Sequence, residues 1–174
     1  MQNLDSLLEI MALLRHPTKG CPWDLAQTYD TIAPHTVEEA YEVADAIEQK
    51  DFENLKDELG DLLFQIIFYC QLSNENNGFG FADVVDAICD KMIRRHPHVF
   101  GCAVITDEAD QNAAWEAHKN AERSAKGENS SSMDSLTVGL PSLKRADKLQ
   151  RRAAMVGFDW SSIDDVMPKV GEEL

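Results

Sequence analysis

The chain has 174 residues, enough for one domain with a real core and part of a second. Sixteen Lys and Arg stand against thirty-one Asp and Glu, a net charge of −15. That field repels polyanions and argues against nucleic-acid binding, although a single nucleotide is acceptable where metal ions offset the charge.

A hydrophobic fraction of 44% argues against disorder. The opening MQNLDSLLEIM has no basic segment before a long apolar core, so no signal peptide is expected. Cys21, Cys70, Cys89 and Cys102 are scattered without a C-x-x-C. The longest apolar run, Leu62–Leu72, contains Gln65 and Gln71 and is too short to span a bilayer. The expectation is a reduced, cytoplasmic, soluble protein with no membrane contact.

Leu4, Leu7, Leu8, Met11 and Leu14 follow helical spacing and predict a short first helix ending near His16-Pro17. Thr18 to Asp24 reads as a Gly/Pro-punctuated loop, with Trp23 as a hydrophobic plug rather than a substrate contact. A second helix is expected from Thr36, where Thr36-Val37-Glu38-Glu39 matches a capping box. In that reading the Glu39 carboxylate folds back to the Thr36 amide.

A third helix runs from about Asp51 to Leu72, amphipathic at first and then apolar almost all round, so it is expected to be buried on more than one side. Gly60 inside it costs about 1 kcal/mol of helix propensity relative to Ala. In return it leaves room beside Glu58 and Asp61. A fourth helix, about Phe81 to Arg95, has a stripe of Phe81, Val84, Ile88, Lys91 and Arg95 that starts apolar and ends cationic. Those two cations either snorkel at a helix end or hold phosphate oxygens. His96 and His98 do not share a helical face and read as structural.

A polar fifth helix from roughly Asp107 to Ala125 carries Trp115 and Lys119 one turn apart. Residues 124–141 read as a flexible, Gly/Ser-rich linker. Ser142–Val156 is a basic amphipathic helix, and the closing Val170-Gly171-Glu172-Glu173 echoes Val37-Glu38-Glu39-Ala40, as if a second module opened there and were cut short.

Glu39 and Glu42 are spaced i, i+3, and so are Glu58 and Asp61, after fifteen intervening residues. On helices each pair shares a face, with Cβ atoms roughly 5–6 Å apart. Two such pairs facing each other repel unless a divalent cation with oxygen ligands lies between them. The competing reading is a solvated acidic face that includes Glu38, Glu42 and Asp45. A di-iron bundle is set aside, because the residues three before the five histidines are Leu13, Ile32, Ile93, Arg95 and Trp115, none of them Glu.

Several segments together are similar to the MazG family of nucleoside triphosphate pyrophosphohydrolases, within the all-α NTP pyrophosphatase superfamily. They are Gly20-Cys21-Pro22-Trp23-Asp24, Ile32-Ala33-Pro34, Glu38 to Val43, Glu58 to Leu63 and Arg94 to Phe100. Residues 1–123 resemble the family's first domain, and 142–174 its linker helix and the truncated start of a second. The resemblance implies an all-α helical bundle, completed by dimerisation into a homodimer or higher homo-oligomer. It implies Mg2+, with Mn2+ as a substitute, on Glu39, Glu42, Glu58 and Asp61. Lys91 and Arg95 would hold the triphosphate, and Trp115 and Lys119 would lie near base and phosphates.

The implied reaction cuts nucleoside triphosphates between the α- and β-phosphates with broad base tolerance, as nucleotide-pool housecleaning. Glu38 is the candidate for orienting or deprotonating the water. The alternative is a catalytically weak dimerisation or nucleotide-sensing domain whose activity resides in a second domain.

Overall fold

A computed structural model of the chain describes residues 3–103, 107, 110, 111, 114, 115, 117, 122 and 136–173, and all regular structure among them is helical. The helices are α1 (Leu4–Leu14), α2 (Pro22–Ala26), α3 (Tyr29–Gln49), α4 (Phe52–Glu75), α5 (Phe81–Arg95), α6 (Pro97–Phe100), α7 (Ser142–Met155) and α8 (Ile163–Glu173). Two compact units divide at residues 104 and 105. Among the described residues no helix is long and apolar enough to cross a membrane.

The first unit is built on the antiparallel pair of α3 and α4. Lys50 closes α3 in the left-handed region (φ 59°), its amide and that of Asp51 returning to the Ala46 and Ile47 carbonyls. The Asp51 carboxylate then accepts from the Asn54 amide, 3.1 Å, and starts α4 at once. A connection this short forces the helices to lie side by side. It also sets their register, because pairing back from the turn brings Glu39 opposite the α4 turn that holds Glu58 and Asp61.

On α3 the seam positions are Ile32, Thr36, Glu39, Val43 and Ala46; on α4 they are Glu58, Asp61, Gln65, Phe68 and Leu72. The core gathers at one end of this seam, where Met11 of α1 meets Ile32, Ile67, Phe68 and Leu72. Leu7, Leu8, Leu63, Phe64, Tyr69 and Phe81 pack around it. The helix expected to be buried on more than one side leaves Leu59 at 49% and Ile66 at 38% exposure.

Three local expectations change. The helix expected from Thr36 begins seven residues earlier, because Thr28 and Thr31 form a reciprocal cap that starts α3 at Tyr29. Pro34 is accommodated in the second turn of α3, where only one intrahelical hydrogen bond is lost. Thr36 is therefore no cap. Its hydroxyl lies 2.6 Å from the Tyr69 hydroxyl across the seam, and Glu39 is released from the capping role. The stretch read as a loop contains α2, with Pro22 in its first turn. Trp23 on α2 is 54% exposed and so plugs nothing.

α5 matches its expected span, and α7 ends one residue short of it. His96 Nδ1 lies 2.7 Å from the Met92 carbonyl oxygen, in keeping with a structural histidine. In the second unit, α7 carries five basic residues, with Arg151 paired to Asp147 at 3.0 Å. Residues 124–135 of the expected linker lie outside the described residues.

Candidate functional site

The centre of the α3–α4 seam is acidic. Glu39, Glu58 and Asp61 each offer a carboxylate oxygen, and these oxygens all lie within 4.8 Å of one another. Glu39 and Glu58 are half-buried and Asp61 is exposed, so the cluster sits at the mouth of the seam rather than deep within it. Two helices converging on a shared point produce this arrangement, which a solvated acidic face does not require. Glu39, Glu58 and Asp61 hold positions that apolar residues occupy further along the seam.

The Glu39 carboxyl is pushed above the ordinary carboxylate range. Burial is the first cause, followed by the charges of Asp61 and Glu42, a hydrogen bond with Glu42 and the charge of Glu58. Glu42 thus adjoins the cluster through Glu39. It is not one of the three that close together, because it lies one position off the seam stripe, which passes from Glu39 to Val43. Gly60 stands between Glu58 and Asp61, and a Cβ built there meets no atom within 4 Å. The space beside the carboxylates is open.

Hard oxygen donors and mutual repulsion are what a divalent cation of the Mg2+ or Mn2+ kind relieves, so the donor set fits such an ion. Glu38, facing outward, has its carboxylate 3.6 Å from His35 Nδ1 with 66% of the side chain exposed. Lys91 and Arg95 are half-buried on α5, which packs on α4. Trp115 is half-buried and belongs to the second unit; Lys119 lies outside the described residues.

Sequence reasoning missed a buried polar network beside the core, toward the far end of α4. Arg15, 8% exposed, makes a two-pronged pair with Glu75, Nε to Oε1 at 2.8 Å and Nη2 to Oε2 at 2.7 Å. Its Nη1 donates to the carbonyl oxygens of Asp24 and Gln27, and its guanidinium carbon lies 5.2 Å from the Phe68 ring centre. No spacing rule links residues 15, 24, 27 and 75, so no sequence signal announced the network.

Residues 27–100 match the MazG nucleotide pyrophosphohydrolase domain. All 174 residues align at 49% identity with a protein of Escherichia coli named nucleoside triphosphate pyrophosphohydrolase, covering 66% of it. A Thermotoga maritima protein named nucleoside triphosphate pyrophosphohydrolase/pyrophosphatase MazG is 38% identical over 170 residues, 98% of this chain and 64% of that protein. The chain thus spans about two thirds of the length of these relatives. The crystal structure of a mazG-related protein from Thermotoga maritima shares the fold, with a TM-score of 0.55 at 24% identity over 67% of this chain and 99% of that one. With its acidic seam and a similarity to these proteins that runs along all of its own residues, the chain belongs to the MazG family.

Proposed function

We propose that the chain hydrolyses nucleoside and deoxynucleoside triphosphates between the α- and β-phosphates, releasing the monophosphate and pyrophosphate, with broad base tolerance. The observation that carries this reading is the convergence of Glu39, Glu58 and Asp61 from two helices. Glu39, Glu42, Glu58 and Asp61 would hold Mg2+, or Mn2+ in its place. When bound, such an ion offsets substrate charge, polarises the α-phosphoryl oxygen and favours deprotonation of the attacking water.

The chain's own residues supply the rest. Lys91 and Arg95 bind the triphosphate and balance charge that develops on the departing pyrophosphate, Arg95 through its planar fork. Glu38 orients the water or accepts its proton, and its contact with His35 restrains the carboxylate. Trp115 and Lys119 are assigned to the base and phosphates. Residues 1–123 form the catalytic domain, 124–141 link it onward, and 142–174 open a second module. The active form is a homodimer or higher homo-oligomer in the cytoplasm, with no nucleic-acid partner.

The test is product accounting. Incubated with dNTP and Mg2+, the chain releases pyrophosphate and dNMP in equal amounts, and Glu58→Gln or Asp61→Asn abolishes turnover without loss of helical circular dichroism. Release of orthophosphate contradicts α–β cleavage. Mg2+-dependent binding without turnover is the outcome expected of the sensing or dimerisation reading instead.

A further inference from the structure

A polar atom buried without a partner is costly, and the α3–α4 seam holds one. Along the seam face of α4, Glu58, Asp61, Gln65, Phe68 and Leu72 pass from the acidic mouth to the dry core. Gln65 stands at the boundary, one helical turn beyond Asp61 and only 8% exposed. Its Oε1 is shut off from solvent and has no hydrogen-bond partner among the described residues. A leucine would fill this position without leaving an acceptor unpaired.

The neighbouring side chains have no hydrogen to give it. Thr36 of α3, three residues before Glu39 and so at the same level of the antiparallel pair, donates to the Ile32 carbonyl oxygen at 3.3 Å. With that hydrogen committed, the 2.6 Å contact between Thr36 Oγ1 and the Tyr69 hydroxyl has Tyr69 as its donor. Toward the core lie Ile32, Ile67 and Phe68, whose side chains carry no polar hydrogen. Toward the mouth lie Glu39, Glu58 and Asp61, and ionised carboxylates only accept. The donor that Gln65 lacks must come with whatever occupies the acidic mouth.

We infer that Gln65 is a positioning residue for the cation, its Oε1 accepting from a water of the ion's hydration shell on the side that faces the core. The inference rests on the divalent-cation reading of Glu39, Glu58 and Asp61. Magnesium keeps several of its waters when carboxylates bind it, and water beside a dication is a strong donor. A neutral acceptor suits the position, because a further carboxylate would deepen the repulsion among the acids. Gln65 thus restrains the ion from the core side and leaves the solvent side to the substrate.

The test measures Mn2+ binding, read from the solution electron paramagnetic resonance signal, and metal-free melting temperatures for the full chain, Gln65→Met and Gln65→Glu. Methionine keeps the length of glutamine and removes its strong acceptor. Gln65→Met is expected to bind Mn2+ about tenfold to a hundredfold more weakly, the usual effect of losing a partner behind a metal's ligands. Its metal-free form should melt at or above the parent temperature, by up to about 4 °C, because no acceptor is left unpaired in the seam. Gln65→Glu keeps an oxygen in place and should bind Mn2+ at least as tightly as the parent. Unchanged affinity in Gln65→Met, with Asp61→Asn binding weakly, overturns the role of Gln65 and leaves the acidic-site reading standing. A metal-free Gln65→Met that melts below the parent reveals a glutamine that serves the core, and overturns the role whatever the affinity does. So does a Gln65→Glu variant that binds as weakly as Gln65→Met. A parent that binds no Mn2+, or an Asp61→Asn variant that binds as tightly as the parent, overturns the acidic-site reading and this inference with it.

Discussion

Glu39 concentrates the conflict between stability and function at the scale of single residues. Its carboxyl is raised by burial and by three neighbouring carboxylates. The folded state therefore holds that proton more tightly than the unfolded chain does. The metal-free protein loses stability as pH rises from the unfolded carboxylate pKa through the raised folded one. Glu39→Gln removes the repulsion and is expected to stabilise the metal-free chain at pH 7 by about 1 kcal/mol, the scale of one close like-charge contact in water. Mg2+ should raise the melting temperature of the parent and leave that of the variant unmoved. Thermal melts with and without Mg2+ check both statements, and a destabilised metal-free variant contradicts them. The paired i, i+3 acids were legible in the sequence because helical periodicity alone puts each pair on one face. Whether Glu39 capped a helix or lined a seam was not, because that depended on Thr28 and Thr31 winning the start of α3.

For the elements, the Arg15–Glu75 pair fastens α1 to the end of α4 and, through Asp24 and Gln27, fastens α2 as well. Hydrogen bonding to the Arg15 guanidinium holds the Glu75 carboxyl below its ordinary range, opposed by burial and helped by Gln71. A depressed folded pKa contributes stability that is present above the unfolded carboxylate pKa and lost as pH falls through the folded one. Glu75→Gln should cost about 1.5 kcal/mol at pH 7, toward the low end for a charged hydrogen bond because the Glu75 side chain is 32% exposed. The cost should shrink at acid pH, where the parent carboxylate is itself protonated. Urea titrations at two pH values measure this, and a pH-independent cost contradicts it. Helices with sustained periodicity, α1, α4, α5 and α7, were visible in the sequence. α2 was not, because a five-residue helix has no period to read and is stabilised by an arginine from another element.

Over the molecule as a whole, α4 displays Phe52, Leu59 and Ile66 at seven-residue spacing, 72%, 49% and 38% exposed. A stripe at that period suits a second helix laid alongside. We expect self-association through it, with Leu59→Glu or Ile66→Glu giving monomers in sedimentation velocity where the parent gives dimers. A parent that sediments as a monomer at tens of micromolar, far above the dissociation constant of a stable dimer, contradicts this. The all-helical fold and its central acidic pair were legible from patterns local to α3 and α4. The placement of Trp23 was not, because exposure is decided by what a neighbouring element does to a backbone, here Arg15 holding α2.

Two antiparallel helices bring Glu39, Glu58 and Asp61 together, and under the proposed function these carboxylates would hold a divalent cation. Electron paramagnetic resonance of free Mn2+ titrated with the full chain tests this directly, since ions lose their sharp solution signal when bound. The parent should remove Mn2+ from solution in competition with Mg2+, and Glu58→Gln and Asp61→Asn should lose that capacity with their helices intact. Equal Mn2+ uptake by the parent and both variants would place the ion elsewhere and contradict the account.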